Sequence, residues 1–243
     1  MENSIDTPTI GEIVKEDFRK AEVFKKYGLD FCCGGKKSIA KACSEKGIDA
    51  IALEKDLKAI DESPNNLASQ NFDTWELDFL ADYILNTHHK YVTQAHTILF
   101  EYTQKVARVH GDRHPELVEI ADTFMEIMHE LNSHMMKEEN ILFPYIKSLA
   151  ISKRQKLEVT VPGFGSVQNP INMMEHEHDS AGRLMEKIKE LSNNFTPPST
   201  ACNTYRVSFA KLQEYQDDLH QHIHLENNIL FPKAIALEKE LLG

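Results

Sequence analysis

Two segments of the chain nearly repeat each other and contain residue types that commonly bind metal ions. The first, HMMKEENILFP, runs from His134 to Pro144, and the second, HIHLENNILFP, runs from His222 to Pro232. Seven of the eleven positions are identical. Each copy places a glutamate four residues after a histidine, and imidazole together with carboxylate is a ligand set of non-haem iron. The repeat therefore predicts a metal site built from two His-x-x-x-Glu pairs.

Apolar residues before each copy recur with the period of an α-helix. The histidine and the glutamate of each copy continue the same stripe, so both should face the protein interior. A buried carboxylate without a partner must pair, take up a proton or bind a cation. A single histidine on an apolar stripe is usually an ordinary core residue, but two repeated pairs favour metal coordination. The stripes contain Leu117, Ile120, Phe124, Ile127 and Leu131 in the first segment and Leu212, Tyr215 and Leu219 in the second.

The helix before the first copy carries further histidines. It is expected to begin near Asp73, because Asp73 and Glu76 have the spacing of a capping box. It contains His88, His89 and His96, and His96 has no counterpart in the repeat. His88 and His89 lie about 100° apart on a helix and are both near its apolar sector, so either could be a ligand.

The helix before the second copy is expected to begin at Asn169, an N-cap residue that is followed by a proline. Its apolar stripe includes His178. His178 precedes His222 by 44 residues, and His89 precedes His134 by 45, so the spacing mildly favours His89 over its neighbour. The duplication thus extends to a pair of helices and predicts a bundle with pseudo-two-fold symmetry.

These elements predict an all-α protein with an up-down-up-down four-helix bundle in residues 66–243. Residues 1–65 are expected to form a small helical domain, followed by a linker at residues 63–66. Each bundle helix that carries a repeat copy is expected to end or kink before its proline, Pro144 or Pro232. Helices of the small domain are predicted at residues 10–26, 38–46 and 50–60, with Gly28 after the end of the first.

Two adjacent cysteines follow that first helix. Cys32 and Cys33 are predicted to lie in an exposed turn, where backbone amides, Lys36 and Lys37 lower a thiol pKa and favour a reactive thiolate. Such a pair suits iron or NO handling, or a disulfide between two subunits and hence a homodimer. The alternative is a tight turn of small residues. The other two cysteines, Cys43 and Cys202, are expected to be packing residues.

Composition excludes several classes of function. The formal net charge is −11 and there is no Lys/Arg-rich tract, so nucleic acid is not expected as a partner. Every apolar run is well short of the ~20 residues that a membrane span needs. The N-terminus lacks the basic start and apolar core of a secretory signal. These features predict a cytoplasmic protein without a membrane partner.

Several motifs resemble the repair-of-iron-centres family of hemerythrin-like proteins, and the resemblance covers nearly the whole chain. They are TIGEIV at residues 9–14, YGLDFCCGGKKSI at 27–39, SHMMKEEN at 133–140, MEHEHD at 174–179 and HIHLENNILFP at 222–232. The resemblance implies two non-haem irons joined by two carboxylates and an oxo or hydroxo group. The ligands that it implies are His89, His134, Glu138, His178, His222 and Glu226.

The resemblance therefore favours His89 over His88, with Glu138 and Glu226 as the bridging carboxylates. Two further carboxylates, Glu130 and Glu177, lie beside ligand positions and are candidates to support ligands from behind, the alternative being surface charges. One neighbour differs from the usual pattern, since His224 stands where the family often has a smaller polar residue.

The same resemblance implies a protein that repairs, or supplies iron to, iron–sulfur clusters damaged by nitric oxide or peroxide, with the cluster proteins as clients. Two other hypotheses stay open. One is an enzyme that reduces NO to nitrous oxide at the two irons. The other is a hemerythrin-like carrier or sensor of O2 or NO.

Overall fold

A computed structural model describes residues 8–62 and 71–243, and the regular structure within these ranges is helical throughout. The linker predicted at residues 63–66, and with it the domain boundary at residue 65, lies outside the described residues. The N-terminal part consists of helices α1 (Ile10–Glu16), α2 (Ala21–Lys26), α3 (Ile39–Lys46) and α4 (Ala50–Glu62), with 3₁₀ turns at Phe18–Lys20 and Cys33–Lys36.

The prediction of a single helix over residues 10–26 is wrong, because the helix is interrupted at Asp17. This residue has an extended backbone (φ −147°), and its side chain accepts a hydrogen bond of 3.0 Å from the backbone N–H of Arg19. Asp17 thereby starts the next turn as a cap, and α2 follows. Gly28 has a φ of +65° just after α2, as expected for a glycine that terminates a helix.

The remaining helices form the predicted up-down-up-down four-helix bundle. Helix α6 packs against α7 and α10, and α7 packs against α9. Three of the four bundle helices contain one π-helical turn, which joins two α-helical parts. The elements are α5 (Leu77–Ile84), π turn Leu85–His89 and α6 (Lys90–His110); α7 (Glu116–Lys137), π turn Glu138–Leu142 and α8 (Phe143–Gln155); α9 (Gln168–Leu191); and α10 (Asn203–Leu225), π turn Glu226–Leu230 and α11 (Phe231–Leu242).

Two predicted helix starts are wrong by a few residues. Asp73 lies in a 3₁₀ turn and forms an ion pair of 3.0 Å with Lys15, and α5 begins only after Glu76, whose side chain makes no cap. Helix α9 begins at Gln168, before Asn169, whose side-chain amide donates to the carbonyl of Phe164 instead of capping the helix. In both places the side chain that the sequence pattern predicts as a helix cap makes a tertiary or loop contact instead.

The two repeat prolines do not end their helices. Pro144 and Pro232 are the second residues of α8 and α11, and each follows a π turn directly. Proline is tolerated in the first turn of a helix, where its missing N–H breaks few hydrogen bonds. The irregularity that the prolines predicted is therefore present as a π turn, and the chain continues as a helix beyond it.

The predicted metal ligands lie between two hydrophobic clusters that fill the bundle. Each bundle helix contributes residues to both clusters and carries a ligand at the level between them. Neighbouring residues of the first cluster are Val92, Met135, Ala181 and Ile223, and those of the second are Ile84, Leu142, Met174 and Leu225. This level is remote from solvent, so the polar groups there depend on one another.

The N-terminal part packs against the bundle at the last π turn. The side-chain amide of Asn228 donates to the carbonyls of Phe31 and Cys32, at 3.3 Å in both cases. A Cβ at Gly35 would lie 2.8 Å from Oδ1 of Asn228, so the close approach requires glycine there.

Within residues 8–62 and 71–243, no helix combines the length and apolar character needed to cross a bilayer.

Asn228→Ala should loosen this contact, because two carbonyls lose their amide partner. A lost hydrogen bond costs about 1 kcal/mol, which corresponds to about fivefold faster amide hydrogen exchange in residues 29–36. Asn140→Ala is the matched control. Asn140 occupies the same place in the first repeat copy but is exposed, and among the described residues its side chain bonds only to the carbonyl of Met136 in its own helix. Equal exchange in the two variants would show that Asn228 does not hold the N-terminal part.

Candidate metal centre

The six ligands implied by the sequence converge in the middle of the bundle. They form two groups that share both glutamates, and in each group the ligand atoms lie within 4.8 Å of one another. All six side chains are buried, with at most 2% of each residue exposed. One group is His89, Glu138, His222 and Glu226; the other is His134, Glu138, His178 and Glu226.

The three π turns position half of these ligands. His89 is the last residue of the first π turn, and Glu138 and Glu226 are the first residues of the other two. A π turn inserts one extra residue into a helix, which changes the direction of the following side chains, and such turns are frequent at functional sites. His134 and His222 project from the α-helical turn just before the glutamates.

Each glutamate contacts one histidine from each group. Oε1 of Glu226 lies 3.0 Å from Nε2 of His222, and its Oε2 lies 3.2 Å from Nε2 of His178. Oε2 of Glu138 lies 3.2 Å from Nε2 of His134 and 3.4 Å from Nε2 of His89. Both carboxylates therefore stand between the two groups, where a bridging ligand of two ions would be required.

Several atoms at this level lack the hydrogen bonds that burial demands. Both carboxylate oxygens of Glu138, Oε2 of Glu226 and Nε2 of His89 have no hydrogen-bond partner within the described residues. Buried polar atoms without partners are rare in folded proteins. Carboxylate oxygens and imidazole nitrogens are ligands of iron, zinc and manganese. A metal ion would satisfy all of these atoms.

The short distance between the rings of His134 and His178 also fits a metal site. Nε2 of His134 and Nε2 of His178 lie 3.0 Å apart, while the Nδ1 atom of each faces a side-chain oxygen. Two N–H groups cannot point at each other at this distance, so at least one of the two Nε2 atoms presents a lone pair. Two nitrogens that bind one ion at about 2.1 Å and a right angle are about 3 Å apart. The residues present therefore fit a metal ion.

The electrostatics favour positive charge at the centre. Burial disfavours the imidazolium forms of His89 and His134, but the close negative charges of Glu138 and Glu226 outweigh it and raise the pKa of both histidines to about 10. Burial also opposes ionisation of Glu226, yet contacts with His222 and its neighbours hold the pKa of that carboxyl well below its ordinary value. The site thus stabilises two carboxylates and attracts cations.

Three ligand histidines are held from behind through Nδ1. Nδ1 of His134 lies 2.9 Å from Oε2 of Glu177, one of the two carboxylates proposed for this role. Lys137 pairs with the other oxygen of Glu177. The second proposed carboxylate, Glu130, is half-buried and makes no hydrogen bond to a ligand histidine in the described part of the chain. Contacts of this kind fix the orientation of an imidazole ligand.

Two supporting residues were missed by the sequence analysis. Glu139 lies 2.8 Å from Nδ1 of His89, and Asn227 lies 2.8 Å from Nδ1 of His178. Each follows a ligand glutamate directly, and the two occupy the same position in the repeat. An acceptor side chain at that position in both copies was the signal that could have identified them.

The neighbour of His89 belongs to a different contact. His88 is buried, its Nδ1 lies 2.9 Å from Asp218, and its ring stacks on that of His222 with 5.5 Å between centroids. It joins neither ligand group, so the structure brings His89 and not His88 to the centre. His96 lies deeper in the core, where its two ring nitrogens bond to Asn132 and Tyr215.

The exposed, reactive turn predicted for the two cysteines is wrong for Cys32. Cys32 is buried, and its hydrogen bond with Cys33, burial and the charge of Asp30 raise the pKa of its thiol well above the ordinary value. The backbone amides of Cys32 and Cys33 donate to Oδ1 of Asp30, at 2.9 and 3.1 Å, so they do not stabilise a thiolate. Lys36 is paired with Glu175.

Cys33 is half-buried and faces a cavity between the N-terminal part and the bundle. The cavity has a volume of about 460 Å³ and is also lined by Cys32, Arg183 and His220. Of the other two cysteines, Cys43 is buried in the core as expected, whereas Cys202 is exposed.

Comparison with known proteins places these observations in a family. Residues 80–234 match the hemerythrin HHE cation-binding domain, and residues 6–61 match a domain of unknown function (DUF542). The iron-sulfur cluster repair protein YtfE of Citrobacter koseri is 39% identical over 232 residues, which covers 94% of this chain and 97% of the relative. Proteins of the same name from Escherichia coli O81 and Escherichia fergusonii are 39% and 38% identical with the same coverage.

The cation-binding match covers more than half of the chain and spans all six predicted ligands, which are buried. The relatives extend the similarity over nearly the whole chain, and the second matched domain, residues 6–61, contains the adjacent Cys32 and Cys33. The chain therefore belongs to the hemerythrin HHE cation-binding family, and within it to the repair-of-iron-centres group that its motifs indicated.

Proposed function

We propose that this protein holds two iron ions and supplies iron to iron–sulfur clusters damaged by nitrosative or oxidative stress. The observation that carries the proposal is the pair of buried carboxylates, each of which contacts a histidine from both ligand groups. The relatives' name supports the repair role, since they are iron-sulfur cluster repair proteins.

In this proposal two histidines would hold each ion, and Glu138 and Glu226 would hold both ions together with an oxo or hydroxo group. Two cations about 3.5–4 Å apart need shared anions to reduce their repulsion. When bound, the irons supply redox chemistry and a store of exchangeable metal. Oxygen and imidazole ligands hold iron less durably than a thiolate cage does, which suits a protein that must give iron away.

The described residues divide the work of release. Glu138 and Glu226 would hold the ions through their carboxylates, while His89, His134 and His178 keep their orientation through Nδ1 contacts. Cys33 lines the cavity at the edge of the N-terminal part, where it can take part in handling iron or NO. Cys32 supports the same turn through its contact with Asp30.

A second candidate function is the reduction of NO to nitrous oxide. The two ligand groups share both carboxylates, so two small ligands could bind side by side at adjacent ions. A hemerythrin-like carrier or sensor of O2 or NO uses the same feature without consuming its ligand. Iron donation, turnover and reversible binding differ in what happens to the metal and to the gas.

Metal analysis tests the site directly. Protein purified without oxygen should contain about two irons per chain and show near-ultraviolet bands of a bridged ferric pair after oxidation. Glu138→Ala and Glu226→Ala should each lower the content below about one iron and reduce thermal stability, because buried ligands lose their shared cations. Glu126→Ala, an exposed change on α7, is the control. One zinc per chain, or iron content unaffected by both variants, would contradict the site.

A single reaction separates donation from turnover. Reduced protein is given NO, a reductant and an apo iron–sulfur protein, and both nitrous oxide and acceptor iron are measured. Donation predicts iron in the acceptor and nitrous oxide no greater than the protein concentration. The double variant Cys32→Ala with Cys33→Ala should keep the di-iron spectrum but transfer iron more slowly. Many equivalents of nitrous oxide with both irons retained would replace the proposal by the NO reductase function.

A further inference from the structure

The two ligand groups differ in how firmly their histidines are held. A hydrogen bond to the outer ring nitrogen fixes an imidazole ligand and raises its basicity, and loss of such a contact typically lowers metal affinity about 10- to 100-fold. The number and quality of these contacts therefore predict which of two otherwise similar ions binds more tightly. The repeat makes the comparison a controlled one, because the two groups have identical ligand types.

Both histidines of the group containing His134 and His178 are anchored. His134 bonds to Glu177, which is itself paired with Lys137, so this carboxylate has two partners. His178 bonds to Asn227 at 2.8 Å, and Asn227 is only 6% exposed. Neither ring can rotate without breaking a contact that is shielded from water at least in part.

The group containing His89 and His222 is anchored less well. His89 bonds to Glu139, whose side chain is 40% exposed and makes no second hydrogen bond in the described part of the chain. Nδ1 of His222 is buried and has no hydrogen-bond partner within the described residues. Apart from the contact of its Nε2 with Glu226, the ring of His222 lies against the rings of His88 and His89, and neither of these restrains Nδ1.

We infer that the ion held by His89 and His222 is the one that the protein gives up first, while the ion held by His134 and His178 stays behind. The inference rests on the proposed function and assigns the donated iron to one half of the centre. The retained ion keeps Glu138 and Glu226 in place by neutralising part of their charge, so that the emptied half can be filled again.

Chelation of the diferrous protein tests the assignment without a client protein. With an excess of the ferrous chelator ferrozine, iron should leave the wild-type chain in two phases of one iron each, with rates about 10-fold or more apart. Asn227→Leu and Glu139→Leu form a matched pair, because they remove the Nδ1 contact at the same repeat position in opposite groups. Asn227→Leu should accelerate only the slow phase, and Glu139→Leu only the fast one.

Asn227→Asp covers the case in which Asn227→Leu fails to fold, since it keeps an acceptor and adds a charge that should slow the slow phase further. A single phase containing both irons would overturn the inference, as would an effect of Glu139→Leu on the slow phase alone. The chelation phases are measured separately from iron transfer, so failure of the inference and failure of the proposed function can be told apart. Two phases without transfer to an apo iron–sulfur protein would contradict donation only, and transfer with a single phase would contradict the assignment only.

Discussion

The structure depends on one interaction, the contact of two fully buried carboxylates with four buried imidazoles. Glu138 and Glu226 are 0% exposed and lie at the level where the apolar core is interrupted. Removing one partner from a buried ionic group costs about 3–5 kcal/mol, so neither set of residues is stable there without the other or without a cation. The helices, the π turns and the repeat can all be understood as ways of bringing these six side chains together.

The repeat explains both the symmetry of the centre and its departures from symmetry. Duplication of a helix pair gives each ligand group two histidines, and the two groups share the same two glutamates. The residue after each glutamate differs, with Glu139 in one copy and Asn227 in the other. The next position is asparagine in both copies but makes different contacts, because Asn228 contacts the N-terminal part and Asn140 faces solvent. The second repeat copy is thereby linked to the turn that contains Cys32 and Cys33.

Much of the site could be predicted from the sequence, because its ligands follow from helical periodicity and repetition. Helical periodicity alone left the choice between His88 and His89 open, since adjacent residues on a helix differ only in direction. The spacing of the repeat and the family resemblance favoured His89, which the structure places in a ligand group. The π turns were also out of reach, because a local pattern does not show that a helix accommodates one extra residue. For the same reason the two prolines predict helix ends or kinks, whereas the structure has π turns before them.

The cysteine turn shows how tertiary contacts override a local expectation. Its amides and lysines are expected to stabilise a thiolate, but the amides donate to Asp30 and Lys36 forms an ion pair with Glu175. Cys32 is buried by packing of Phe31 and its neighbours in a cluster shared with the bundle, which the motif alone does not show. The helix break at Asp17 likewise depends on a side chain competing with the backbone for its own hydrogen bonds.

The most direct test of the two-ion centre is anomalous diffraction at the iron edge from crystals of the iron-loaded protein. Two peaks about 3.5–4 Å apart are predicted, one next to His89 and His222 and the other next to His134 and His178, with both glutamates between them. A single peak in the bundle, or iron bound at Cys32 and Cys33 with the six buried ligands empty, would contradict the account.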